Sequence, residues 1–198
     1  MDIIYLIRHA EKPPNASEDD DAIVAADMGV PAGVDADGVV DRHSLTPQGW
    51  TRAGTWAVYF RSSANVQLPN QIYASVDKRK PGQAGVKLGS HSKRPMQTVT
   101  PLAQRLGYTL NTDFFKGEEA GLAGRLKTLS GVTLVCWQHE AIPAIAKALV
   151  AETTPIPGPW PGDRFDAIWR FTRAAAGPIW IFDQILPQLL AGDPATEI

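Results

Sequence analysis

The chain has 198 residues, 44% hydrophobic and 20% charged, which suits one domain with a substantial core. Its 16 prolines and 17 glycines are scattered, so they point to loop-rich globular structure and not to a collagen-like or low-complexity polymer. A formal net charge of −2 excludes a broad electrostatic grip on nucleic acid or an anionic membrane, although a local basic pocket is compatible with it. The single cysteine, Cys136, forms no intrachain disulfide and excludes zinc sites built on several cysteines; it fits a reducing, cytoplasmic compartment. The first residues do not read as a signal peptide, and no run approaches the roughly 18 apolar residues of a membrane-spanning helix.

Ile3 to Ile7 is a continuous β-branched and aromatic run, expected as a strand buried on both faces, and Arg8 and His9 follow at its carboxyl end. In open α/β sheets that edge is where ligands bind. Pro13 to Asp41 changes character, with the acidic run Glu18-Asp19-Asp20-Asp21 and many small residues, and is expected as a surface insertion. Thr46 and Pro47 cap a helix whose apolar stripe is Trp50, Ala53, Ala57 and Phe60. Gln71 to Ala74 reads as a strand, and Lys78 to Gly89 as a basic loop. A helix over Ser92 to Leu106 ends at Gly107, and Tyr108 to Leu110 is expected as a further strand. Glu118 to Leu129 is a helix. Val132 to Trp137 is a second buried strand, ending at Gln138-His139-Glu140, and Ala141 to Ala151 is a helix with Pro143 in its first turn. Alternation around Phe165 to Thr172, then Ile179 to Ile185, predicts a β-hairpin at the sheet edge. Together these elements give one three-layer α/β/α domain over residues 1–198, with a mostly parallel sheet.

His9 and His139 each stand just past a buried strand. If those strands are neighbours, both imidazoles reach one crevice, with Arg8 beside the first and Arg94 at the start of a helix above the same edge. Two guanidinium forks and two imidazoles make an anion pocket, because the arginine fork matches phosphate oxygens in pairs. A neutral imidazole there can serve as nucleophile. His43 and His91 lie in loops and are not expected to be catalytic. Lys78, Arg79 and Lys80 read as a solvated turn able to steer an anion inward.

Leu6-Ile7-Arg8-His9-Ala10-Glu11 resembles the Arg-His-Gly motif of the histidine phosphatase (phosphoglycerate-mutase-like) superfamily. Leu45-Thr46-Pro47-Gln48-Gly49 resembles its Leu-Thr-x-x-Gly stretch, and Ser92-Lys93-Arg94-Pro95-Met96-Gln97-Thr98 its Ser-x-x-Arg-x-x-Gln-Thr motif. His139 stands where that family has its second histidine. The motifs come in the family's order and span residues 2 to about 150. The resemblance implies a phosphatase that forms a phosphohistidine on His9, with Arg8, Arg94 and His139 holding the phosphate oxygens. No metal and no cofactor is implied. The implied partner is a small phosphorylated substrate or a phosphoprotein, and neither a nucleic acid nor a membrane. The proton for the leaving group comes from a carboxylic acid, for which Glu119 is the first candidate, Glu140 the second, and Glu118 and Glu11 the others. Two departures stand out: Ala10 replaces the motif's glycine, and Gln138 replaces the glycine before the second histidine and can itself donate to a bound phosphate. The chain is also longer than the compact pattern between Ser75 and Ser92. A phosphomutase of the same family, a non-catalytic phosphate-binding domain and a metallohydrolase built on His9, Glu11 and His139 are the competing readings. The sequence does not give the oligomeric state.

Overall fold

A computed structural model describes residues 1–14, 32–82, 87–174, 177 and 179–198. The acidic run at 18–21 lies outside the described residues, as does the larger part of the expected insertion. Among the described residues five strands form the main sheet: β1 (Asp2–Arg8), β2 (Gln71–Ala74), β5 (Val132–Trp137), β6 (Ile168–Arg173) and β7 (Ile181–Ile185), in the order β2-β5-β1-β6-β7. A two-stranded ribbon pairs β3 (Arg79–Pro81) with β4 (Lys87–Gly89). The helices are α1 (Pro47–Ser62), α2 (Arg94–Leu106), α3 (Glu119–Lys127) and α4 (Ile142–Leu149). β1 and β2 both run parallel to β5, β6 is antiparallel to β1, and β7 reverses again. Four of the five strands therefore point the same way, and the antiparallel β6–β7 pair is the expected edge hairpin.

The strand period of two sorts the core into two layers. Ile4, Leu6, Val135, Trp137, Trp169 and Phe171 pack against Leu122 and Leu126 of α3 and Ile142, Ile145 and Leu149 of α4. Ile3, Tyr5, Ile7, Leu134 and Cys136 face the other way, onto Trp56 and Phe60 of α1 and Val99 and Leu102 of α2. β1 is buried along its whole length, as its unbroken apolar run predicts.

Local chemistry sets the element ends. The Thr46 hydroxyl accepts from the Gly49 N–H at 3.1 Å and Pro47 opens α1. Gly107 closes α2 in the left-handed region, φ 67°, where its N–H reaches the last carbonyls. Gly49 answers a packing demand: a Cβ there would stand 2.6 Å from the Glu11 carbonyl oxygen, so only glycine lets α1 approach the segment after β1.

Three local expectations are corrected. Lys78 to Gly89 is not a plain loop, because residues 79–81 and 87–89 pair as the β3–β4 ribbon. Tyr108 to Leu110 forms no strand; the neighbouring Asn111 makes a single parallel bridge to Tyr73, and its side-chain amide donates to the Ile72 carbonyl. Within the expected insertion, residues 33–41 are a built loop. Val34 bridges Val40, the Asp35 carboxylate accepts from the Asp37 and Val39 N–H groups, and the Val34 N–H donates to the Leu45 carbonyl.

Candidate active site

β1 and β5 are adjacent and parallel, with Arg8 opposite Trp137, and the His9 N–H donates to the Trp137 carbonyl at 3.1 Å. His9 and the Gln138-His139 pair therefore leave neighbouring strands at the same sheet edge. α2 is fastened over that edge by a short relay: the Ala10 N–H donates to Thr98 Oγ1 at 2.9 Å, and that hydroxyl donates to the Arg94 carbonyl at 2.8 Å. The relay sets Arg94, the first residue of α2, one turn away from the nucleophile segment. Gln97 ties in the preceding loop, accepting from the Leu45 N–H and donating to the Ser44 hydroxyl. The motif residues that look dispersed in sequence thus brace one another.

Arg8, His9 and Arg94 are fully buried. Buried guanidinium groups need partners, and Arg8 finds its own far along the chain. Its Nη1 donates to the carbonyls of Gly162 at 2.6 Å and of Pro161 and Arg164 at 3.3 Å, and its guanidinium lies 3.9 Å from the centre of the Phe165 ring. Arg164 is held by Asp166 at 3.0 Å, and Trp160 donates to the Arg164 carbonyl. This 160–166 segment positions a site residue, and the local sequence gave no sign of it. Arg94 Nη2 donates to the Arg42 carbonyl at 3.2 Å, which links the site to the 41–44 loop.

His9 Nδ1 lies 2.7 Å from the Ala10 carbonyl oxygen. A carbonyl only accepts, so Nδ1 carries a proton, and in the neutral ring the lone pair is then on Nε2. The tautomer suited to attack through Nε2 is fixed by backbone. Burial pushes the Cys136 thiol far up, out of nucleophilic range, despite its hydrogen bond with Thr98.

The four acids divide clearly. Glu11 is taken by Arg52, whose guanidinium contacts it at 2.8 Å and also grips Asp193 at 2.7 Å. Glu118 pairs with Lys80 at 2.6 Å and accepts from the Phe115 N–H, and these bonds hold its carboxyl below the usual range. Glu140 is half exposed and pairs with Lys116 at 2.7 Å and His139 Nδ1 at 3.0 Å. Burial would raise its pKa, but those partners outweigh it and hold it down to about 2. These partners commit Glu140 to an ion pair, which counts against its role as acid. Glu119, first residue of α3, instead reaches the strand edge: its Oε1 accepts from Trp137 Nε1 at 3.0 Å and from the Gly117 N–H at 2.8 Å. Among the described residues no group of three or more His, Cys, Asp or Glu side chains is placed to hold a metal ion.

No family model and no curated protein sequence matches the chain. Solved structures do. The protein histidine phosphatase SixA, complexed with tungstate, superposes with TM-score 0.55 at 16% identity over 93% of this chain and 97% of that one. A mycobacterial glucosyl-3-phosphoglycerate phosphatase complexed with VO3 gives 0.51 at 13% identity, over 92% and 98%. The ecdysone phosphate phosphatase of Bombix mori, complexed with tungstate, gives 0.51 at 13% identity, over 100% and 96%. At these identities the likeness is one of fold: the chain has the phosphoglycerate-mutase-like fold of the histidine phosphatases. No helix of the described residues is long and apolar enough to cross a membrane.

Proposed function

We propose that the chain is a histidine-type phosphatase, hydrolysing a phosphomonoester or a phosphohistidine through a phosphohistidine on His9. The observation that carries this reading is the His9 ring. Its Nδ1 is tied to the Ala10 carbonyl at the carboxyl end of β1, directly after the buried Arg8, and the Ala10–Thr98–Arg94 relay joins the buried Arg94 to the same segment. The fold shared with phosphatases that bind phosphate-like oxyanions supports it.

In the first step Nε2 of His9 attacks phosphorus. The bond to the leaving oxygen breaks, its electron pair stays on that oxygen, and the oxygen takes a proton from the Glu119 carboxyl group. In the second step water attacks phosphorus, the P–Nε2 pair returns to His9, and the Glu119 carboxylate accepts the water's proton. Arg8, Arg94 and His139 neutralise the equatorial oxygens, the largest contribution expected for a reaction that rests on positioning and electrostatics. The two guanidinium groups fill the role a metal would have, so the proposed reaction is metal-independent. A cytoplasmic setting accords with the one buried cysteine.

The test is hydrolysis of para-nitrophenyl phosphate in the presence of EDTA, with the protein quenched in alkaline detergent after exposure to labelled substrate. Label that is stable to base and lost in acid, and absent from a His9→Ala variant, is the expected result. Turnover that survives His9→Ala removes the nucleophile. Activity abolished by EDTA moves the protein to the metallohydrolase reading.

A further inference from the structure

Gln138 is fully buried, and neither its Nε2 nor its Oε1 has a hydrogen-bond partner among the described residues. Buried polar groups without partners are uncommon in folded proteins and mark places where a ligand or water belongs. The strand pattern locates this one. Leu134 and Cys136 face α1 and α2, as do Tyr5 and Ile7. Gln138 and His9 are the first residues past the ends of β5 and β1, which pair in parallel, and the His9 N–H donates to the Trp137 carbonyl. The Ser75 and Ser92 hydroxyls, also fully buried and without a partner among the described residues, flank the same edge. Ser75 follows β2, which pairs with β5, and Ser92 precedes Arg94 by two residues.

The two ends of the amide ask for different things. Nε2 donates, and a phosphoryl oxygen satisfies it. Oε1 accepts, and a phosphoryl dianion has no hydrogen to give. Water does, and water is the second reactant. An amide that holds a phosphoryl oxygen with one end and a water with the other fixes that water against phosphorus, as glutamine does in other phosphoryl-transfer sites. We infer that Gln138 orients the water that dephosphorylates phospho-His9, an inference that rests on the phosphatase reading above. Water's oxygen forms the new bond to phosphorus, the P–Nε2 bond breaks toward His9, and the proton leaves to Glu119. Gln138 itself exchanges no proton.

The test separates the two chemical steps. With para-nitrophenyl phosphate, rapid mixing reads the first step as p-nitrophenol release, and quenching in alkaline detergent preserves the phosphoenzyme for counting. In Gln138→Leu we expect dephosphorylation to slow by roughly 10–100-fold, and phosphorylation, which loses the Nε2 contact but needs no water, to slow by clearly less. The signature is a p-nitrophenol burst approaching one per protein, with phosphoenzyme accumulating. Gln138→Met, which keeps the volume, repeats the measurement, and a thermal melt of each variant identifies one that has lost its fold. Wild-type dephosphorylation rates in the folded variants, with only KM raised, overturn the inference and make Gln138 a substrate-holding group. A wild-type protein that never forms phosphoenzyme overturns the phosphatase reading beneath it, an outcome visible before any variant is made.

Discussion

The molecule carries two pairs of histidines beside cationic side chains, and they are not alike. His9 and His139 leave adjacent strands near Arg8 and Arg94. His43 and His91 sit in loops, their rings 5.8 Å apart, close to Arg42, Lys93 and Arg94. In His9 Nδ1 is bound to the Ala10 carbonyl, the tautomer that places the neutral ring's lone pair on Nε2. In His43 the tied nitrogen is Nε2, which accepts from Arg42 Nε at 3.1 Å. Burial and then the charge of Arg42 hold the His43 ring neutral, with Asp41 pulling the other way. In the proposed reaction the first pair supplies the nucleophile; in the second, Nε2 of His43 is engaged in orienting an arginine. Residue type does not distinguish them, and hydrogen-bond partners do.

The sharpest way to break that contrast is a pair of variants. His9→Ala is expected to lower kcat by roughly 10⁴–10⁶-fold, the scale seen when a nucleophile is removed. His43→Ala should lower it by less than about tenfold, because it shares a charged surface and not a bond to phosphorus. Steady-state hydrolysis of para-nitrophenyl phosphate measures both, and comparable losses would erase the distinction.

A second contrast lies between the site and the anchor behind it. Arg52 is buried, contacts Glu11 two residues past the nucleophile, and forks onto both oxygens of Asp193. Removing one partner from such a cluster leaves charge buried and uncompensated. Arg52→Ala is therefore expected to cost about 3–5 kcal/mol in urea unfolding. A loss below about 1 kcal/mol would show that solvent reaches the cluster.

These anchors also show where the sequence stops being legible. β1 and β5 announce themselves as apolar runs buried on both faces, and Arg8, His9 and His139 stand out as candidates because they end or directly follow those runs. Arg94 is found through its motif, at the head of a helix with a clear apolar stripe. Nothing local, however, ties Arg8 to Gly162 and Phe165, which lie more than 150 residues away and belong to no regular element. The sequence ranks Glu119 ahead of Glu140, Glu118 and Glu11 but excludes none of them, because a carboxylate's role is set by its partner. Arg52, Lys80 and Lys116 are brought to them only by the fold. The β3–β4 ribbon hid for another reason: strands of three residues are too short to show a period.

The same partner logic ranks the acids. Glu119→Gln is expected to slow hydrolysis of an alkyl phosphate by roughly 10²-fold or more, and that of para-nitrophenyl phosphate far less, since its leaving group hardly needs a proton. Glu140→Gln should cost less than about tenfold with either substrate, and show no dependence on the leaving group. A leaving-group dependence that appears in Glu140→Gln and not in Glu119→Gln would exchange their roles.

The smallest effect tests whether the loop beside Arg94 is held by charge. Burial works to raise the Asp41 pKa. Hydrogen bonds from Lys93, the His43 N–H and the Ser44 hydroxyl overcome this and bring it from 3.8 to about 2. The folded value lies below the unfolded one, so the stabilisation is complete above about pH 4 and drains away as pH falls through 2. Allowing for screening by solvent, the amount is roughly 1 kcal/mol. Chemical denaturation of wild type and Asp41→Asn at pH 7 and pH 2.5 reads it directly. The wild type should be the more stable at pH 7, and the gap should narrow at pH 2.5. A gap that stays constant with pH would mean that Asp41 holds the loop through geometry an amide can copy, and that the charge on Lys93 contributes nothing to keeping Arg42 and His43 against α2.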